Sequence, residues 1–123
     1  MWVLVAASLI PLGCGPGAPP PLELALVSGT VTMDGTPLPR AVVTFTPSIE
    51  GGRTSIGVTD AKGRYTLAYT QETQGANLGR HDVRISTAAL DGGPIERVPS
   101  KFNSETTLSA NVQRGENVFD FAL

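Results

Sequence analysis

Val27, Gly29, Val31 and Met33 alternate with Ser28, Thr30 and Thr32, and this period of two predicts a half-buried strand over about Leu24 to Met33. Asp34-Gly35 ends it in a turn, and a proline on each side of Leu38 blocks regular pairing there. The pattern then repeats. A second strand, Ala41 to Thr46, places Ala41, Val43 and Phe45 inward. After a loop over Pro47 to Arg53, a third strand, Thr54 to Thr59, is expected to bury Ile56 and Val58. Asp60-Ala61-Lys62-Gly63 reads as a tight hairpin, with Gly63 at positive φ, pairing the third strand with a fourth. The fourth, Arg64 to Thr70, puts Tyr65, Leu67 and Tyr69 on one face. Gln71 to Leu78 reads as a polar loop. The fifth, Arg80 to Thr87, turns His81, Val83 and Ile85 inward and Arg80, Asp82 and Arg84 outward. Ala88 to Ser104 is long and irregular. The sixth, Thr107 to Val112, buries Leu108, Ala110 and Val112; the seventh, Asn117 to Leu123, buries Phe119, Phe121 and Leu123. No stretch sustains a 3.6-residue period, so the expected architecture is all-β, a seven-stranded antiparallel β-sandwich of two sheets.

At 123 residues the chain is long enough for one domain and too short for two. Hydrophobic residues make up 41% and charged residues 16%, which supports a core under a nearly neutral surface. The nine Lys and Arg residues are scattered from Arg40 to Arg114, and the formal net charge is −2. Such a chain has no basic stripe to displace counterions, which argues against a nucleic-acid partner. In this context the 14 Gly and 10 Pro are turn residues. Cys14 is the single cysteine, so the domain is held by its core without an internal disulfide.

Met1 to Leu12 is apolar and uncharged. It is shorter than the roughly 20 apolar residues that span a bilayer and has the character of a signal-peptide core. Gly13-Cys14 follows at once and resembles the lipobox of bacterial lipoproteins. That resemblance implies a signal over residues 1–13, cleavage before Cys14 and lipidation of the Cys14 thiol. Residues 14–23, with Gly-Pro-Gly-Ala-Pro-Pro-Pro at Gly15 to Pro21, then form a stiff tether, and residues 24–123 form the domain. The implied location is the cell envelope, membrane-anchored and facing the periplasm or exterior.

Ser28-Gly29-Thr30-Val31, the turn Asp34-Gly35-Thr36-Pro37-Leu38 and the strand Ala41-Val42-Val43-Thr44-Phe45 resemble the opening of carboxypeptidase-regulatory-like domains. Thr59-Asp60-Ala61-Lys62-Gly63-Arg64-Tyr65-Thr66-Leu67 resembles their central hairpin, and Gly79 to Ile85 the strand that follows. The tail from Val98 to Leu108 and Gly115 to Phe121 is similar to small bacterial lipoproteins built from one such domain. The resemblance covers about Val27 to Leu123. It implies a transthyretin-like (prealbumin-like) Greek-key sandwich and no particular activity, since such domains are usually non-catalytic companions.

Candidate chemistry is thin. His81 is the only histidine, and its alternation with Val83 and Ile85 marks it as a packed residue rather than a base or ligand. No second His or Cys completes a zinc site in the domain, no Gly-x-Ser-x-Gly elbow occurs, and Asp34 with Asp60 is too small a carboxylate set for calcium. The transthyretin-like enzymes that hydrolyse 5-hydroxyisourate rely on a C-terminal Tyr-Arg-Gly-Ser, whereas this chain ends Phe119-Asp120-Phe121-Ala122-Leu123. Neither Lys62 nor Lys101 lies in the first strand, where an isopeptide cross-link would need one. Phe102 is the one loop aromatic that offers a sugar-stacking ring or a plug over the end of the sandwich. The expectation is a non-enzymatic module without cofactor. It is anchored to the membrane through Cys14 and bound to an envelope protein, working through a sheet edge or the loop Ala88 to Ser104. The alternatives are a glycan ligand and, least favoured, a transthyretin-like hydrolase.

Overall fold

The computed structural model describes residues 23–88 and 96–123. The signal, Cys14 and most of the tether lie outside these residues, as do residues 89–95 of the irregular loop. The fold is all-β, with two sheets packed around one core. Ten strand segments replace the expected seven: β1 Leu24–Met33, β2 Thr36–Pro37, β3 Val42–Pro47, β4 Ser55–Val58, β5 Arg64–Thr66, β6 Ala76–Asn77, β7 Gly79–Ser86, β8 Leu108–Val112, β9 Glu116–Val118 and β10 Phe121–Ala122. A short 3₁₀ turn covers Ser100–Phe102.

β1 is the axis of the first sheet. On one side it pairs antiparallel with β6, β5 and β2 in turn; on the other it pairs parallel with β9 and β10. Asp34 (φ 54°) and Gly35 (φ 80°) both lie in the left-handed region, as a two-residue hairpin turn requires. They return the chain so that Thr36 and Pro37 pair with Met33 and Thr32 despite the prolines. The second sheet runs β4-β3-β7-β8, antiparallel throughout. Its inner face carries Val43, Phe45, Val83 and Ile85, all fully buried, against Val27, Val31 and Leu67 of the first sheet region. Phe45 sits at the centre, its ring centroid 5.6 Å from His81, 6.0 Å from Phe119 and 6.3 Å from Phe121.

Four expectations from the sequence are corrected. Ile56 and Val58 point outward, each 47% exposed, while Ser55, Gly57 and Thr59 face in. The reason is lack of room. β4 runs so close to the end of β5 that a Cβ on Gly57 would lie 2.8 Å from the Thr66 carbonyl oxygen. Thr59 earns its inward place through hydrogen bonds: its Oγ1 donates to the Leu38 carbonyl (2.6 Å) and accepts from the Ala41 N–H (2.8 Å).

The expected antiparallel ladder across Asp60 to Gly63 is reduced to one bridge, Ile56 with Ala68. The turn instead carries the chain from one sheet to the other, β4 pairing with β3 and β5 with β1. The expected polar loop Gln71 to Leu78 contains β6, with Ala76 and Asn77 fully buried.

The expected seventh strand breaks into β9 and β10, and both run parallel to β1 rather than antiparallel. Gly29 lies under the break: a Cβ there would fall 1.9 Å from the Phe119 carbonyl oxygen. That carbonyl bends toward Tyr65, whose hydroxyl donates to it at 2.6 Å. The Thr30 N–H is bonded instead by the Asp120 carboxylate at 2.9 Å. A side chain thus replaces a ladder partner, as at a bulge.

Candidate binding surface

An open trough of about 770 Å³ runs where the outer face of the first sheet meets β4. Ser28 and Thr30 of β1 and Thr66 of β5 supply a hydroxyl floor, with the Tyr65 hydroxyl at its base. They face outward because period two puts their neighbours Val27 and Val31 in the core. Val118, 68% exposed, and Val58 form aliphatic walls. A smaller depression shares Ser28, Thr66 and Val118 and extends the trough to Leu26, 44% exposed.

Charge is concentrated at one end. Asp60 accepts the Lys62 N–H (2.8 Å) and the Arg64 N–H (3.0 Å) on Oδ1, the local turn bonding expected of an Asp at this position. These backbone bonds, with smaller help from the Arg64 guanidinium, hold its carboxyl below the usual carboxylate range. Its Oδ2 lies 3.5 Å from Arg64 Nε in an exposed ion pair of the kind that contributes little to stability. Asp120 reaches in from the β9–β10 break and commits Oδ1 to Thr30. Burial, and secondarily the Asp120 charge, push the Tyr65 hydroxyl far above its ordinary pKa, so it stays a proton donor. Two carboxylates against one guanidinium leave the trough acidic. The arrangement suits reversible binding of a polar, partly aliphatic segment.

His81 does not line this trough. It is fully buried, as its alternation predicted, with Nδ1 3.0 Å from the Gly79 carbonyl and Nε2 without a partner among the described residues. Burial, only partly offset by the Gly79 bond, lowers its pKa from the ordinary histidine value. The fold therefore holds the ring neutral while the unfolded chain protonates near pH 6.5. Stability is full above that pH and is lost as pH falls below it toward the folded-state pKa. Urea unfolding of the full chain between pH 7.5 and 5.5 should show this decline, and His81→Gln should flatten it. An unchanged slope in His81→Gln would assign the decline to other groups.

No group of three His, Cys, Asp or Glu side chains is arranged to hold a metal among the described residues. Phe45, Tyr65 and Phe121 are buried; Phe119 and Phe102 are half-buried against the core, Phe102 beneath the Lys101 amine at 5.1 Å.

One polar centre had no sequence signal. Glu96 accepts from Ser86 Oγ (2.5 Å), Thr87 N–H (2.8 Å), Val98 N–H (3.2 Å) and Asn103 Nδ2 (2.8 Å). Burial works against its charge, and these donors outweigh it, so the carboxyl sits below its ordinary pKa. Glu96 thereby pins the segment 96–103 onto the end of β7. Its partners all lie within ten residues of it, but at irregular spacing that no motif marks.

No family model matches the chain, and no curated protein matches it. Among solved structures it is similar to a DUF3823 family protein from Parabacteroides merdae ATCC 43184, at 12% identity and a TM-score of 0.50. The match covers 83% of this chain and 46% of that one, so the chain spans under half the length of its neighbour. At this identity the likeness is one of β-rich fold alone.

Proposed function

We propose that this chain is a non-catalytic binding module of the cell envelope, a carboxypeptidase-regulatory-like, transthyretin-like Greek-key sandwich carried on a lipid at Cys14. It docks a partner protein in the trough between Val118 and Val58. The observation that carries the reading is the exposure of these two valines beside a hydroxyl floor and an acidic end. A solvated sheet face has little reason to present aliphatic walls around a polar concavity, whereas a docking face does. The lipid anchor is supported by the apolar segment ending in Gly13-Cys14 and the Pro-rich stretch after it. One acyl chain binds a membrane only marginally, so stable anchoring takes a second signal such as a further chain. A glycan is the second reading, favoured by the hydroxyls of Ser28, Thr30 and Thr66; against it, Phe45, Tyr65 and Phe121 are buried in the core, and the half-buried Tyr69, under the Arg53 guanidinium, does not line the trough.

The test uses the full chain in its own envelope. A photo-crosslinking residue at position 118 should yield a protein adduct of discrete mass, and the same residue at exposed Glu72 should not. Cys14→Ala should move the protein out of the membrane fraction. Equal labelling at 118 and 72 would remove the trough from the account. Retention of Cys14→Ala in membranes, with no lipid mass on the native chain, would remove the anchor.

A further inference from the structure

The first sheet is open on the side of β9 and β10, which have no strand beyond them among the described residues. Ladder parity shows which backbone groups that edge presents. β9 lies parallel to β1, with Leu26 opposite Glu116 and Ser28 opposite Val118. The Leu26 N–H donates to the Gly115 carbonyl (3.1 Å), and the Phe119 N–H to the Ser28 carbonyl (2.9 Å). Backbone groups alternate along a strand, so Gly115, Asn117 and Phe119 serve the ladder with β1. Glu116 and Val118 therefore direct N–H and C=O away from the sheet. The same alternation puts the side chains of Glu116, Val118 and Asp120 on one face, and all three are exposed. That face is the one the trough occupies: Val118 and Asp120 line it, and Glu116 lines its smaller extension.

This edge is acidic, and its charges are not neutralised within the fold. Glu116 and Asp120 form no ion pair among the described residues. Arg114, two residues from Glu116, is held by Glu23 through Nε (2.7 Å) and Nη2 (2.9 Å), and Arg64 faces Asp60. Asp120 commits Oδ1 to the Thr30 N–H, which fixes its carboxylate and leaves Oδ2 without a partner among the described residues. Two occupants of the edge fail on charge. A second copy presenting the same edge would set carboxylate against carboxylate. The chain's own residues 1–22 and 89–95 contain no Lys or Arg.

We propose that the β9 edge receives an extended segment of the partner protein as an added strand, with Lys or Arg, then an aliphatic residue, then Lys or Arg at alternate positions. The backbone of that segment bonds the outward groups of Glu116 and Val118, which supplies affinity without regard to sequence. Its alternate side chains fall on the face of the trough. The aliphatic one covers Val118, which is 68% exposed. The two cations lie beside Glu116 and Asp120, as opposite charges pair across neighbouring strands. Val118 is the central position, so the basic–aliphatic–basic order fits in either chain direction. Only two residues offer outward backbone groups, so the ladder is short, the charges matter and salt weakens the complex. The proposal rests on the trough being a docking face for a protein, and it names the chemistry of that protein.

The test titrates the full chain with an end-blocked synthetic peptide, Thr-Lys-Thr-Val-Thr-Lys-Thr, and follows residue-resolved hydrogen exchange. Binding should slow exchange of the Glu116 and Val118 amides by about tenfold. The same peptide with Glu in place of both Lys should leave them unchanged. Glu116→Gln combined with Asp120→Asn keeps the Oδ1 acceptor for Thr30 and should weaken binding by about tenfold. Val118→Pro removes an outward N–H without touching the ladder with β1, as an edge strand tolerates, and should abolish protection of the Glu116 amide. A peptide that fails to bind overturns the proposal. So does one that binds without protecting these amides, or that binds the double variant equally well. Photo-crosslinking from position 118 separates this failure from that of the trough. A discrete adduct that persists in the double variant keeps the trough and removes the added strand, whereas absence of any adduct removes both.

Discussion

Phe45→Ala is expected to lower the free energy of unfolding by about 3–5 kcal/mol, a large share of what a small domain has. Phe45 is fully buried and meets three other rings, His81, Phe119 and Phe121. It stands on β3, flanked on both sides by strands: Ser55 of β4 is its partner on one side and Val83 of β7 on the other. Strands paired on both sides cannot close in on the void, so most of the cavity persists and the transfer loss is not recovered. Tyr65 adds to this rigidity, stacked 6.4 Å from Phe121 and tied by its hydroxyl to the Phe119 carbonyl. Thr44, one residue away on the outer face, faces Ile56 and Arg84 in register. Thr44→Ala should cost under about 0.5 kcal/mol. Urea unfolding of the two variants checks the pair, and equal costs would mean that the faces of β3 are assigned wrongly.

Much of the fold was legible because period two is a strong signal wherever large aliphatics alternate with polar residues. β1 has the predicted ends, Leu24 and Met33, and β7 buries His81, Val83 and Ile85 as read. The signal failed at β4, where the inner positions are Ser55, Gly57 and Thr59. Hydrophobicity placed Ile56 and Val58 inside, but close approach of the Thr66 backbone leaves no room for a side chain at Gly57. It failed again after Val118, because alternation records which face a residue takes and not the direction of its neighbour. The parallel pairing of β9 and β10 with β1 depends on how the chain crosses between sheets. β6 was hidden because two residues are too few to establish a period.

The surface was less legible than the core. Asp60 bonds the Lys62 and Arg64 N–H groups in its turn, as an aspartate does locally. Nothing local says that Asp60 shares a trough with Asp120, which is distant in the chain and is brought there by the break over Gly29. The aliphatic wall was obscured by the same error that inverted β4, since Val58 was assigned to the core. Glu96 was missed for another reason: its donors lie within ten residues, on the end of β7 and in the segment around it, but at no spacing that marks a motif.

Gly63→Val is the second change expected to have a large effect, roughly 2–6 kcal/mol from two additive sources. Gly63 holds φ at +76°, a region a β-branched residue resists, at a cost of about 1–3 kcal/mol. A Cβ there would also lie 2.5 Å from the Val31 carbonyl oxygen and 3.3 Å from the Leu38 N–H nitrogen, and such crowding adds about 1–3 kcal/mol. Relief by backbone movement is blocked, because the Gly63 carbonyl accepts the Val31 N–H at 2.8 Å and its own N–H donates to the Asp60 carbonyl at 2.9 Å. Gly35→Val separates the two sources. Gly35 has a similar φ of +80° with nothing within 4 Å of its Cβ position, so only the conformational cost of about 1–3 kcal/mol applies. Urea unfolding of both variants should place Gly63→Val well above Gly35→Val, and equal values would remove the steric source. The damage should also reach the trough, because Gly63 sits between Asp60 and Arg64. Forcing it away from Val31 moves both charges, so exchange of the Lys62 and Arg64 amides, now bonded to the Asp60 carboxylate, should accelerate in Gly63→Val and stay unchanged in Gly35→Val.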